Sequence, residues 1–582
     1  MCMLKKKEKK IIFSVAMVIG LIIICFYVVR FNTINGIGVD SSSSSQLVLD
    51  KDNVTEINIE IDENTWQELL DNATKEEYYS ANVTINDETF YNVGLRTKGN
   101  SSLSNVARDE NNDRYSLKVK FDKYVDGQTY HGIEKLALNN NYQDPTYMKE
   151  YLSYEIFSSL GVPTPEYSYA SISINGEPWG LYLAIEDVDE RYIEKYYGTV
   201  EGNIYKPETM DLNNDNMLQN GENTQDGMNG NIPTIPENML GGMEGNIPQQ
   251  MPNDIPEGGL NEITENGSGN MMPNLPVDIP EGMGNVMQGN KQDIMGGFNK
   301  GNNGGADLKY IDDNIESYST ITESAEFKTT TEEDYQKILE MIKSLNSGEN
   351  LEEYLNVEEI LKYFSVNTFL VNLDSYSGGM YHNYYLYERD GVFEMLPWDL
   401  NMSFAGFGVN DASSAVNFPI DSPVTGSLED APLIGKLLEI DSYKEIYHSY
   451  LNTLIENYID NDGLINLVDK IHNMINDYVK NDATAFYKYE EYENSLPELK
   501  KFIENRGASI VAQLKGEQPA TEYGNIEATF DLSALGGHGG GMQDGDRKNP
   551  WMNNNFNMDD ENRPQIPEGI GNVNNNMQIP PG

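Results

Sequence analysis

The sequence predicts an α+β protein whose folded part is divided by a long insertion, and three observations support this. The first half is dominated by the apolar–polar alternation of strands, as in "VTEINIEID" at 54–62. Residues 207–297 contain no aromatic residue and are rich in Asn, Gly, Met and Pro. Residues 431–515 show the apolar spacing of helices. A strand-rich half and a helical half therefore flank a segment poor in core-forming residues.

The amino terminus predicts a membrane anchor. A lysine-rich segment, 1–10, precedes an uncharged apolar run at 11–29. At about 1.5 Å per residue, that run is close to the roughly 30 Å thickness of a hydrocarbon core. A cleaved signal peptide is the alternative, but the run is long and no small-x-small cleavage site follows it. We expect 1–10 to be cytoplasmic, 11–29 to be a single-pass signal anchor, and the rest to be extracytoplasmic or on a spore coat or surface.

The strand-rich segment is expected at 53–206, after a flexible Ser-rich spacer at 30–52. "YYSANVTINDETFYNVGLRTKG" suggests a hairpin that turns at Asn86-Asp87. "RYSLKVKFDKY" is a strand that places Lys118 and Lys120 on its polar face.

The remaining segments are predicted from composition. The segment 207–306 cannot offset its ordering entropy, so we expect a disordered insertion; a tolerated linker is the first interpretation and a binding segment is the alternative. A helical region follows at 307–520. The chain then passes into a low-complexity tail at 521–582.

Charge and residue usage exclude several functions. The net charge of −53 argues against a nucleic-acid partner and favours divalent cations or a basic protein partner. The only cysteines, Cys2 and Cys25, lie in the amino-terminal segment, so we expect no disulfide in the exported part. The five histidines lack metal-ligand spacing, and no G-x-S-x-G motif occurs.

One stretch carries candidate chemistry: "NLDSYSGGMYHNYYLYERDGVFEMLPWDLN" at 372–401. Asp374, Asn383 and Asp399 surround two segments that read as the strands of a hairpin. Asp and Asn are common in turns, which is one interpretation. Oxygen ligands also suit hard divalent cations, which is the other.

Several motifs resemble the CotH family, bacterial spore-coat proteins with an atypical kinase fold. They include "VGLRTKGNSS" at 93–102, "YSLKVKF" at 115–121, "GNIYKP" at 202–207 and "FEMLPWDLN" at 393–401. The resemblance implies a two-lobed, protein-kinase-like fold with a strand-rich first lobe and a helical second lobe. It also implies transfer of the ATP γ-phosphate to Ser or Thr, with Mg²⁺ or Mn²⁺.

The resemblance also implies roles for individual residues. Asp374 takes the place of the catalytic acid, and Asn383 and Asp399 take the places of the metal ligands. Standard kinases place the Asn five residues after the catalytic Asp, whereas here it follows after nine. Lys118 would contact the phosphates, and Glu155 would be its ion-pair partner. Lys120 lies on the same face of the strand, so it stays an alternative to Lys118. The residues implied at the nucleotide are Arg96, Lys98, Ser102, Lys118, Glu155, Glu186 and Lys206.

The sequence thus predicts a membrane-anchored protein kinase acting on a protein substrate, with a Ser-rich basic protein as the expected kind. The alternative is a surface or spore-coat scaffold that keeps the fold without turnover. An exported domain meets little ATP, which favours the scaffold. The presence of Asp374, Asn383 and Asp399 together favours the enzyme, because a scaffold does not need them.

Overall fold

The computed structural model describes residues 48–109, 111–209 and 304–537. The predicted anchor at 11–29, nearly all of the predicted insertion and the tail beyond 537 lie outside these residues. Within the three described ranges, no helix is long and apolar enough to cross a membrane.

Ten strands are described. They are β1 (Thr55–Glu60), β2 (Tyr79–Ile85), β3 (Glu88–Lys98), β4 (Ser116–Lys120), β5 (Lys135–Asn139), β6 (Tyr167–Ile174), β7 (Glu177–Glu186), β8 (Asn203–Tyr205), β9 (Tyr384–Arg389) and β10 (Val392–Pro397). The described helices are α1 (Glu63–Asp71), α2 (Ser101–Ala107), α3 (Lys149–Ser159), α4 (Glu190–Tyr197), α5 (Ser319–Thr322), α6 (Glu332–Ser347), α7 (Leu351–Tyr354), α8 (Val357–Phe369), α9 (Ala412–Val416), α10 (Pro432–Leu438), α11 (Asp441–Tyr458), α12 (Gly463–Lys480) and α13 (Tyr489–Leu514).

The first seven strands form a closed barrel in the order β1-β2-β3-β4-β5-β7-β6. Neighbouring strands are antiparallel except β1 and β6, whose parallel pairing closes the barrel with Ile57 opposite Ile172. The predicted turn at Asn86-Asp87 is confirmed, since Ile85 pairs with Glu88 across it. Inward-facing apolar side chains such as Leu95 are fully buried, as period-two alternation requires.

The predicted two-lobed, kinase-like fold is wrong for this chain, because the strands of its first half close into a barrel. Alternation identifies strands but does not specify which of them pair. The closing contact joins Thr55 to Ala170, far apart in the sequence, and no local pattern reports such a pairing.

A second, three-stranded antiparallel sheet has the order β10-β9-β8. Its edge strand β8 comes from the first half of the chain, whereas β9 and β10 form a hairpin in the second half. The buried helix α8 packs against β10 on one side and α11 on the other. This packing fixes the position of the turn that follows α8, which contains Asp374.

A buried ion pair joins the barrel to the helical region. Arg114 is fully buried and its Nη1 lies 2.7 Å from Oδ1 of Asp482, the second residue after α12. The same guanidinium donates to the carbonyl oxygens of Asn140 and Leu181. The charge is thus matched by one carboxylate and by backbone acceptors, as a buried ion pair requires.

Candidate functional site

The three candidate residues of the stretch 372–401, Asp374, Asn383 and Asp399, lie around one end of the β9–β10 hairpin. Because Tyr384 pairs with Pro397, Asn383 and Asp399 flank the same end of that hairpin. Asp374 lies in the turn after α8, just before the short 3-10 turn Tyr376–Gly378. The φ angles of Asn383 and Asp399 are 58° and 54°, in the left-handed region that Asn and Asp tolerate better than most residues.

Asp374 and Asn383 are in direct contact. The Asn383 side-chain amide donates to Oδ2 and to the backbone oxygen of Asp374, at 3.0 Å in each case. Nε2 of His382 lies 2.8 Å from Oδ1 of Asp374. Burial would lower the pKa of His382, but its hydrogen bond to Asp374 and that carboxylate's charge outweigh burial and raise it. Both oxygens of Asp374 are therefore held, and Oδ1 of Asn383 is left as an acceptor.

Asp399 lies beside a chain of polar groups, Lys98, Asn139 and Glu150, of which Asn139 and Glu150 are buried and Lys98 is half-buried. Nζ of Lys98 donates to Oδ1 of Asn139 at 2.7 Å, and the Asn139 amide donates to Oε2 of Glu150 at 2.9 Å. Burial and the charge of Asp399 raise the pKa of Glu150 to about 7. Burial lowers the pKa of Lys98, although Asp399 opposes that shift. Lys98 also lies 5.8 Å from the ring centroid of Trp398.

A cation-lined cavity of about 450 Å³ opens on the outer face of β3, β4 and β5. The register of these three strands explains which residues line the cavity, because Arg96 pairs with Lys118 and Lys120 pairs with Lys135 across adjacent strands. Lys118 Nζ lies 2.7 Å from Oδ2 of Asp187. Burial alone would raise the pKa of Asp187, but Lys118 and Lys135 outweigh burial and lower it to about 2.

The other cations implied at the nucleotide also have internal partners. Arg96 pairs with Glu76 at 2.7 Å, and Lys206 pairs with Glu208 at 2.6 Å. Lys120 lies 3.4 Å from both Asp122 and Glu134. Lys98 differs from these cations, because the charge of Asp399 acts on it and opposes the lowering of its pKa by burial.

The expected pairing of Lys118 with Glu155 is not formed. Oε1 of Glu155 accepts hydrogen bonds from Lys51 and from the Tyr167 hydroxyl instead. Glu150 and Glu155 are five residues apart on α3, so they point to opposite sides of that helix. Because α3 is buried on most of its surface, its sequence pattern does not indicate which side faces the site.

Two further residues implied at the nucleotide make other contacts. Oε2 of Glu186 accepts from Nζ of Lys195 and from the backbone N–H of Glu166, so this carboxylate is held at the end of β7. Ser102 lies in α2 and faces Gly99, whose φ of 130° belongs to the turn after β3. A Cβ at Gly99 would lie 2.9 Å from Oγ of Ser102, so this turn needs glycine.

Sequence reasoning missed Glu150, Asn139, Asp187 and Lys135. Asn139 and Asp187 lie at or just after the ends of β5 and β7, where polar residues are a common sign of a site. That signal was present in "LALNN" and "AIEDVD". Glu150 had no comparable signal, because α3 is buried on most of its surface and its sequence pattern does not show which side faces the site.

The donor groups fit a divalent cation bound together with phosphate. Within the described part of the chain, no three His, Cys, Asp or Glu side chains are grouped to hold a metal by themselves. The Asp399 carboxylate accepts no hydrogen bond from another described side chain, and Asn383 keeps Oδ1 available. Mg²⁺ commonly uses one or two protein oxygens and takes its other ligands from phosphate and water. Asp399 and Asn383 could hold such an ion.

Comparison with known proteins identifies the family to which this chain belongs. The model of the family described as "CotH kinase protein" matches residues 95–237 and 284–510, which is more than half of the chain. The chain therefore belongs to the CotH family, and the predicted resemblance is confirmed.

Two curated relatives come from Bacillus subtilis (strain 168). Inner spore coat protein H is 40% identical over 68 residues, which cover 12% of this chain and 19% of that protein. Inner spore coat protein H-like protein is 35% identical over 75 residues, which cover 13% of this chain and 23% of that protein. The matched segments thus span less than a quarter of each relative's length.

Proposed function

We propose that this protein transfers the γ-phosphate of ATP to Ser or Thr hydroxyls of a protein, with Mg²⁺ or Mn²⁺. The observation that carries the proposal is the juxtaposition at the end of the hairpin. There Asp374 is held by two side chains, and Asp399 lies beside Lys98 and Glu150. Phosphoryl transfer depends mainly on positioning and charge neutralisation, and these groups supply both.

In this proposal, Asp374 orients the substrate hydroxyl and accepts its proton. His382 and Asn383 hold the carboxylate from two sides, so its direction is set before the substrate arrives. The hydroxyl must approach from the side that these two donors leave open.

The cations act on the phosphates. Lys98 is half-buried and has an amide as its hydrogen-bond partner, so no carboxylate is hydrogen-bonded to its ammonium group in competition with an incoming anion. Arg96 and Lys118 line the cation-lined cavity, and the charges of Lys118 and Lys206 act on Lys98, so further positive charge lies near this lysine. When bound through Asp399 and Asn383, a divalent cation would neutralise negative charge on the phosphates.

We further propose a place at a spore coat or surface and a substrate found there. Both relatives are named as inner spore coat proteins or as similar to one. The net charge of −53 favours a basic partner, and a Ser-rich basic protein would combine that charge with acceptor hydroxyls.

A specific observation favours the alternative, a non-catalytic scaffold. Lys118, Arg96 and Lys206 are already paired with internal carboxylates at 2.6–2.7 Å. A phosphate would have to compete with those carboxylates. A scaffold needs no such exchange, because the pairs would then simply stabilise the folded state.

The deciding experiment incubates the full chain with γ-labelled ATP, Mg²⁺ or Mn²⁺ and a Ser-rich basic protein. We expect label on Ser or Thr in the parent and its loss in Asp399→Asn. The matched control is Asp390→Asn, at the other end of the same hairpin, where Asp390 also has a left-handed φ of 55°. A turn-forming role predicts that both variants behave alike. Absence of label in the parent with either metal would favour the scaffold.

A further inference from the structure

The turn that carries Asp374 is fastened by a buried polar network. Its members are Asn367 near the end of α8 and three residues of the following turn, Asn372, Ser375 and Ser377. All four are between 0% and 1% exposed. Polar side chains this deeply buried carry a large cost if their hydrogen bonds are lost.

Asn367 is the centre of this network. Its side-chain amide lies within hydrogen-bond distance of the Asn372 carbonyl at 3.0 Å, of Ser377 Oγ at 3.0 Å and of Ser375 Oγ at 3.2 Å. Its Oδ1 accepts from the Asn372 amide at 3.0 Å, and its backbone oxygen accepts from the Asn372 backbone N–H. One side chain thus contacts the residues on both sides of Asp374.

The backbone of this turn adopts conformations that would not persist without such support. Val371 has a φ of 50°, a left-handed conformation that is unfavourable for a β-branched residue. A Cβ at Gly378 would lie 1.6 Å from the Leu373 carbonyl oxygen, so the chain folds tightly back on itself there. Strain of this kind is retained where surrounding contacts over-determine the backbone.

We propose that Asn367 is a positioning residue for Asp374, holding the turn so that the carboxylate meets His382 and Asn383. The proposal rests on the proposed phosphotransfer for its kinetic test. Asn367 touches neither the reacting groups nor the cation-lined cavity, so its effect passes through the backbone at Asn372 and Ser375.

The test substitutes Asn367→Leu in the full chain, which removes the amide but keeps the branching and the number of side-chain heavy atoms. The matched control is Gln513→Leu. Gln513 is a buried amide whose partners, Ile420, Phe418 and Ser509, lie outside the turn. We expect Asn367→Leu to lower the phosphotransfer kcat by about 10- to 100-fold, the size that a misplacement of about 1 Å causes. The KM for ATP should stay within about twofold, and the control should keep the parental kcat.

A double variant separates positioning from general destabilisation. If Asn367 acts through Asp374, Asn367→Leu should cause no further loss in an Asp374→Asn background. A loss that multiplies fully with that of Asp374→Asn would overturn the proposal. A kcat of Asn367→Leu equal to that of Gln513→Leu would overturn it as well.

Ser377→Ala serves as a second test if Asn367→Leu does not fold. This substitution removes only one contact of the network and should reduce kcat with unchanged KM. An unchanged kcat in that folded variant would also overturn it.

Amide hydrogen exchange keeps the proposal separate from the proposed function. Exchange over residues 370–380 should accelerate at least about tenfold in Asn367→Leu and stay parental in Gln513→Leu. A parent that transfers no phosphate would refute the phosphotransfer. Unchanged exchange over 370–380 would refute the role of Asn367 whatever the activity.

Discussion

The buried carboxyl of Glu150 predicts a pH-dependent stability. Glu150 is 4% exposed, and burial together with Asp399 raises its pKa from 4.5 to about 7. Between these values the folded state keeps a proton that the unfolded chain releases. The free energy of unfolding should therefore fall as the pH rises from 4.5 to 7, and the full difference corresponds to about 3 kcal/mol.

The substitution Glu150→Gln should remove this pH dependence. Gln cannot ionise, yet its side-chain oxygen can still accept the hydrogen bond from Asn139. We expect the variant to gain up to about 3 kcal/mol on the parent between pH 5 and pH 8. Asp399→Asn should reduce the same slope, because it removes the second cause of the raised pKa.

Urea unfolding at pH 5, 6, 7 and 8 measures these slopes. The control is Glu155→Gln on the same helix, which leaves Glu150 unchanged and should keep the parental slope. If the parent and Glu150→Gln have the same slope between pH 5 and pH 7, Glu150 does not titrate in this range. Burial and Asp399 would then not raise the pKa of Glu150 as stated above.

Four further substitutions test the site and the fold. Asp399→Asn should weaken metal-dependent ATP binding measured by calorimetry, whereas Asp374→Asn should keep binding and lose transfer by about 10²–10⁴-fold. A parental transfer rate in Asp374→Asn would contradict its role as the carboxylate that accepts the proton of the substrate hydroxyl. Asp482→Ala leaves the buried Arg114 without its carboxylate and should destabilise the protein by about 3–5 kcal/mol in urea unfolding; a change below about 1 kcal/mol would contradict that pairing. Gly378→Ala should accelerate amide exchange in the turn and lower transfer, because the added methyl group would lie 1.6 Å from a backbone oxygen. Parental exchange and activity would show that the turn adapts.

Sequence reasoning located the elements of the site better than their partners. The strand pattern predicted a hairpin surrounded by Asp374, Asn383 and Asp399, and the structure joins the first two of these residues directly. Strand alternation also placed Lys118 and Lys120 on one face. Such inferences succeed because they depend on contacts within a hairpin or along a strand, where the geometry is local.

The remaining features depend on contacts between distant segments. Closing the barrel requires β1 to pair with β6, and the Lys98–Asn139–Glu150 chain joins β3, β5 and α3. Neither arrangement follows from periodicity. The expected pairing of Lys118 with Glu155 failed for the same reason, because α3 is buried on both sides and its sequence lacks an amphipathic pattern that would show which side faces the site.

Lys98 and Lys118 differ in the charge of their hydrogen-bond partners. Lys118 is bound to Asp187, whereas the hydrogen-bond partner of Lys98 is the neutral amide of Asn139. An incoming phosphate can reach Lys98 without displacing a carboxylate, but at Lys118 it would replace one anion with another. The first contact should therefore add more to phosphate affinity than the second. It follows that Lys98, rather than Lys118, is the lysine on which nucleotide binding should depend most strongly.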